Sequence, residues 1–152
     1  MSKQRELIYG TCVAWGNRAA LLCGRSSSGK SDLALRFMAL SPEGDYAPML
    51  VADDQIWVEG NGRTGLVASP PPAIAGKMEV RGLGLLDVPY LAKASLVLVV
   101  DLVADHQVPR MPPDPLERTT IGGVALPRLR LAPFEASSAL KLKFALSSLV
   151  AD

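Results

Sequence analysis

Gly24-Arg25-Ser26-Ser27-Ser28-Gly29-Lys30-Ser31 is a complete G-x-x-x-x-G-K-S stretch, and its flanks decide how the chain folds. Ala19-Ala20-Leu21-Leu22-Cys23 precedes it and reads as a buried strand, while Asp32-Leu33-Ala34-Leu35-Arg36-Phe37-Met38 follows with helical spacing. In a strand, glycine loop and helix of this kind, backbone N–H groups turn inward around phosphate oxygens, and the positive end of the helix dipole adds to the attraction. Gly24 and Gly29 permit a close backbone approach, the Lys30 ammonium reaches the outer phosphates, and the Ser31 hydroxyl is a ligand for Mg²⁺. The spacing predicts binding of a nucleoside triphosphate, with residues 24–31 as its cradle.

The remaining composition narrows the class. A chain of 152 residues suits one domain, so 1–152 is read as a single α/β unit. Sixteen basic and 15 acidic residues give a net charge of +1, a balance that points to neither nucleic acid nor an anionic membrane. No apolar run approaches the ~20 residues of a membrane span. The N-terminus carries no secretory apolar segment, and Cys12 and Cys23 lie in apolar surroundings without metal-ligand spacing. These features predict a cytoplasmic protein with reduced core thiols.

Leu7–Trp15, a turn at Gly16-Asn17 and the strand ending at Cys23 read as a hairpin that feeds the phosphate loop. The helix after Lys30 is expected to bury Leu33, Phe37 and Leu40 and to stop before Pro42. Met49–Ala52 reads as a strand, Gln55–Glu59 and Thr64–Ala68 as a hairpin turning at Gly60-Asn61-Gly62, and Ser69–Pro72 as a rigid connector. The glycine-rich run from Gly76 to Val88 is expected to form a loop at the site, because glycine is poor strand composition. Ser95–Val103 reads as a central strand and Ala104–Glu117 as a loop in which His106 has no role. Thr119–Leu131 reads as one or two strands around Gly122-Gly123. Phe134–Val150 reads as an amphipathic helix with Leu140, Phe144 and Leu149 on one side and Lys141 and Lys143 on another.

A phosphate loop needs a carboxylate from a neighbouring strand, and Val51-Ala52 delivers Asp53 and Asp54 at a strand end. Successive strand side chains face opposite ways, so one aspartate is expected at the metal and the other to accept a proton from an attacking hydroxyl. Glu79 is a further candidate for the Mg²⁺ shell, and Arg81 for neutralising phosphate charge. The metal set is read as Ser31, Asp54 and Glu79, and the catalytic set as Lys30, Asp53, Asp54 and Arg81. Strand register leaves open which aspartate takes which role.

Four blocks together resemble the catalytic domain of the HPr serine kinase/phosphorylase family, in its short form without the extra N-terminal domain. They are Gly10–Ala14, the phosphate loop running through Arg36, Leu50–Asp54, and Glu79-Val80-Arg81-Gly82-Leu83-Gly84-Leu85-Leu86-Asp87-Val88. The last resembles the family's own signature. The resemblance runs from about Glu6 to Val103. It implies a P-loop-containing mixed sheet with flanking helices, similar to phosphoenolpyruvate carboxykinase. It also implies an ATP- and Mg²⁺-dependent protein-serine kinase acting on an HPr-like phosphocarrier of the phosphotransferase system, able to run in reverse with inorganic phosphate. A homo-oligomer, hexameric in full-length members, is implied as well. The chain departs from the family pattern where Tyr9 stands for a histidine and Ser27 for a glycine. It also has no Gly-Arg-Asn segment near the C-terminus, leaving Arg128 and Arg130 to take its place. Two other readings share the same loop: an ATP-binding regulatory module that has lost transfer, and a small-molecule kinase or ATPase.

Overall fold

The computed structural model describes residues 5–25, 27–60 and 65–150. Ser26 and the expected turn at Asn61-Gly62 lie outside them. In chain order the elements are β1 (Arg5–Tyr9), β2 (Thr11–Trp15), β3 (Arg18–Cys23), α1 (Lys30–Met38), β4 (Pro48–Ala52), β5 (Gln55–Gly60) and β6 (Leu66–Ser69). There follow β7 (Lys77–Val80), β8 (Gly84–Asp87), β9 (Ala94–Leu102), β10 (Glu117–Ile121), β11 (Val124–Leu131) and α2 (Ser138–Phe144). The helix continues past Phe144 as a π-helical turn over Ala145–Leu149.

The architecture is mixed α/β. Strands run in the order β1-β5-β6-β9-β3-β2-β4, with β11 also parallel to β9 and β10 antiparallel to β11. β3 and β9 are parallel, while β2 is antiparallel to both β3 and β4. One edge of β9 belongs to β3. The other edge is divided, its start paired with β6 through Leu66↔Leu96 and its end with β11 through Val99↔Arg128 to Leu102↔Leu131. The sheet forks there, and β6, β5 and β1 curl over the face opposite the helices.

Side-chain alternation makes two cores from this arrangement. Val13, Trp15, Ala20, Leu22, Leu98 and Val100 point one way and meet Leu33, Ala34 and Phe37 of α1 and Leu142 and Leu146 of the last helix. Cys12, Ala14, Ala19 and Leu21 point the other way and meet Ile56, Val58, Leu66 and Ala68 of the curled strands. Every residue of β2 is buried, as a central strand covered on both faces requires.

Leu7–Trp15 is not one strand. It breaks at Gly10 (φ +151°), where a Cβ would stand 2.7 Å from Leu21 Cδ1 and 2.9 Å from the Leu22 carbonyl. The chain passes so close to β3 there that only glycine fits, and β1 leaves for the second layer. Gly76–Val88 is not a loop but mainly the β7–β8 hairpin. Its turn is closed by the Leu83 N–H donating to the Val80 carbonyl at 2.9 Å, and Met78 is fully buried. Gly82 falls in the turn, so a residue read as a strand breaker marks only the hairpin's tip. The expected face of the last helix is also reversed. Ala139, Leu142, Ala145 and Leu146 are buried, whereas Leu140, Phe144 and Leu149 are 46%, 59% and 46% exposed. Both faces are apolar, and periodicity cannot tell which one the sheet will cover. Among the described residues no helix is long and apolar enough to cross a membrane.

Leu142→Ala should therefore cost about 2–5 kcal/mol and Leu140→Ala within about 0.5 kcal/mol, read as urea midpoints. Equal losses would restore the expected face. The thiols provide a second check. Burial pushes Cys23 up to about 11, with the charge of Asp101 adding to it, and burial pushes Cys12 far above the ordinary thiol range. Iodoacetamide should label Cys23 slowly at pH 8 and faster through pH 10–11, with Cys12 protected until unfolding. Between the ordinary value and about 11 the folded protein keeps the Cys23 proton that the unfolded chain loses, so stability falls as pH rises through that window.

Candidate functional site

β3 ends at Cys23, and α1 starts at Lys30 with Gly29 as its N-cap (φ 98°). A Cβ on Gly29 would stand 2.9 Å from both Pro133 Cβ and Phe134 Cζ, so the segment after β11 closes directly on the loop. Ser28 N–H donates to the Arg25 carbonyl at 3.0 Å, and Ser27 holds a left-handed conformation (φ 66°), as glycine does at no cost. Lys30 Nζ lies across the loop, donating to the Gly24 carbonyl at 2.6 Å and the Arg25 carbonyl at 3.0 Å.

The carboxylate beside this loop is Asp53. Its Oδ1 accepts from Ser31 Oγ and from Thr11 Oγ1, each at 3.0 Å, and its Oδ2 accepts from the Glu79 backbone N–H at 3.3 Å. The sequence reading puts Asp54 in the metal set, but the acid against the Ser31 hydroxyl is its neighbour. Asp54 is exposed and left-handed (φ 77°), and its carbonyl accepts from Gly10 N–H at 2.8 Å. A non-glycine residue held in that conformation carries backbone strain of the kind that gathers at working sites. Ser31 and Asp53 form a pair of hard oxygen donors at a helix start. That donor set suits Mg²⁺, which keeps much of its water and needs few protein ligands.

Lys30, Ser31, Asp32, Glu79 and Arg81 line one cleft of about 620 Å³, and the β7–β8 hairpin forms its far wall. The structure thus brings Glu79 and Arg81 to the phosphate loop, with Arg81 exposed. Tyr9 stands elsewhere. It is 71% exposed and lines a separate groove with Cys23, Asp101 and Arg128 on the face turned away from α1. Arg128 is ion-paired with Asp101, whose hydrogen bond and charge hold the guanidinium still more firmly protonated. Arg130 pairs with Glu117 at 3.5 Å.

Three residues of this region are missing from the sequence reading. Thr11 gives no local signal, because its bond to Asp53 spans 42 positions. Asp101 follows the apolar run Leu98-Val99-Val100 as Asp53 follows Leu50-Val51-Ala52, although it lies inside β9, and that local pattern is the signal that could have found it. Phe134 reads only as the start of a helix, yet it sits on the phosphate loop.

Comparison with known proteins identifies relatives of the chain. The HPr Serine kinase C-terminal domain family matches residues 2–131. The HPr kinase/phosphorylase of Burkholderia lata is 32% identical over 132 residues, covering 81% of this chain and 38% of that protein. That of Limosilactobacillus reuteri is 27% identical over 135 residues, covering 82% and 40%. The chain spans about two fifths of the length of these curated relatives. The solved structure of the Hpr(Ser) kinase/phosphatase from Coxiella burnetii superposes with a TM-score of 0.75 at 20% identity, covering 92% of this chain and 88% of that one, and shows a shared fold. With the match across residues 2–131 added to the phosphate loop, the strand-end aspartates and the signature hairpin, the chain belongs to the HPr serine kinase C-terminal domain family.

Proposed function

We propose that this chain is a cytoplasmic protein-serine kinase domain that uses ATP and Mg²⁺ to phosphorylate a serine of an HPr-like phosphocarrier. The observation that carries the reading is Asp53, which joins Ser31 of the phosphate loop to the signature hairpin through Glu79 N–H. ATP bound with Mg²⁺ supplies the phosphoryl group. Backbone N–H groups of residues 24–29 and the α1 N-terminus hold the phosphates, and Lys30 neutralises their outer charge after leaving the Gly24 and Arg25 carbonyls. Ser31 and Asp53 hold the metal, an assignment that moves this role from Asp54 to Asp53. Asp54, exposed beside it, accepts the proton of the carrier's serine hydroxyl. Glu79 and Arg81 close the far side of the cleft, where Arg81 balances negative charge.

Two family properties weigh differently here. Tyr9, a neutral side chain, and Arg128, paired with Asp101, both line the groove apart from the phosphate cleft, so neither adds positive charge there and phosphate-driven dephosphorylation should be weak. The exposed stripe of Leu140, Phe144 and Leu149 supports a homo-oligomer, of the hexameric kind the resemblance implies. The uncharged Tyr9 also favours a second reading, a module that binds ATP without transfer.

Incubation with labelled ATP, Mg²⁺ and HPr-like carriers should label a carrier serine; binding without transfer selects the second reading. Lys30→Ala should abolish activity with the fold intact. Asp53→Asn should raise the Mg²⁺ needed for half-maximal rate, and Asp54→Asn should lower turnover with little change in that requirement. The same phenotype from both aspartate variants defeats the division of roles. Release of phosphate from the phosphoserine carrier at millimolar inorganic phosphate should be far slower than forward transfer, and comparable rates would refute that bias. Sedimentation at micromolar concentration should show an oligomer that Phe144→Glu weakens; a monomeric wild type would exclude it.

A further inference from the structure

The phosphate loop divides two clefts, and the kinase reading uses one. The second, of about 850 Å³, opens where β9 and β11 end, with Leu102, Val103 and Ala104 on one side and Pro133 and Phe134 on the other. Such a volume suits a small organic ligand. Asp53 approaches β3 from the β2–β4 side, whereas this cleft lies on the β9–β11 side. A nucleotide whose metal-bound phosphates sit at Ser31 and Asp53 has its nucleoside end free to lie across the loop, towards the strand ends where ligands of α/β sheets gather.

Phe134 stands at that crossing. The residue is 70% exposed, lines both clefts, and has its ring close against Gly29. The segment carrying it is tied down on three sides. Arg36 of α1 donates to the Glu135 carbonyl at 3.1 Å and to the Pro133 carbonyl, Ser138 Oγ donates to the Ala132 carbonyl, and Pro133 is itself buried. Arg36 is in turn held by Asp32 at 3.0 Å, in the first turn of α1. An apolar ring facing water on a fixed backbone beside a phosphate site has the character of a stacking platform.

Resting on the kinase reading, we propose that this second cleft binds the nucleobase of the bound nucleotide, stacked on the Phe134 ring and faced by the apolar end of β9. Asp105 and Gln107 also line the cleft, Gln107 with its Oε1 accepting from Ala104 N–H at 3.2 Å and its amide N–H groups left to meet the edge of a base. Phosphate binding and base binding then fall to separate parts of the chain, the start of α1 at Gly29–Ser31 and the segment around Phe134.

Calorimetry with ATP and with inorganic tripolyphosphate separates the two contributions. Phe134→Ala should raise the Kd for ATP by roughly five- to a hundredfold, the range expected for one base–aromatic stack, and leave tripolyphosphate within about twofold. Phe134→Leu keeps apolar bulk without the ring and should lose ATP affinity similarly, while Phe134→Trp should keep it. Unchanged ATP affinity in the Ala and Leu variants, or a parallel loss of tripolyphosphate, overturns the platform alone. A wild type that binds neither ligand overturns the kinase reading and this inference together.

Discussion

A single carboxylate ties the site to the fold. Asp53 receives hydrogen bonds from Thr11 on β2, Ser31 at the start of α1 and the backbone of Glu79 on β7, while its own position is set by the end of β4. Four elements converge on one ionised group, and each donated bond is charge-assisted, hence stronger than a neutral one. Its three donors come from segments far apart in sequence, so none of them is placed without tertiary structure. The same donors fix its orientation.

The sheet serves the site by being covered unequally. Its helix face carries α1 and the last helix over a continuous apolar layer, which fixes the dipole end of α1 at the phosphate loop. Its other face is covered by its own strands, which fork from β9 and return as β6, β5 and β1. That return brings Gly10 against β3 and lets its N–H bond the Asp54 carbonyl, so the left-handed conformation of Asp54 is supported from the second layer. The acids at the end of β4 are thus held from both faces of the sheet.

The central part of this arrangement is legible in the sequence because it is local. Strand, glycine loop and helix lie within Ala19–Met38, and the strand ending in two acids is contiguous, so spacing alone finds them. The β5–β6 hairpin is also local and is found in the same way, whereas Thr119–Leu131 reads only as one or two strands and its β10–β11 pairing comes from the structure. What escapes is decided across distance. Asp53 rather than Asp54 meets Ser31 because of a register that pairing partners set. The last helix buries Leu142 and Leu146 rather than Leu140 and Phe144 because the sheet chooses between two apolar stripes. The glycines of the 76–88 run weigh against strands on average, yet here one marks a hairpin turn and the strands hold by pairing and by the burial of Met78.

The divided edge of β9 bears on how the molecule comes to exist. β2 and β3 form a hairpin that can assemble early from neighbouring residues, but the phosphate loop hangs from β3, whose other side waits for β9 from the far half of the chain. Until that parallel pair closes, β11 has no strand to dock on and Pro133 and Phe134 have no Gly29 to meet. Parallel closures between remote segments are slow, because the entropy of the intervening loop is lost before any contact rewards it. The approach of Pro133 and Phe134 to Gly29 therefore depends on the most remote pairings of the sheet, so the wall of the second cleft is the part of the molecule with the largest loop entropy to lose.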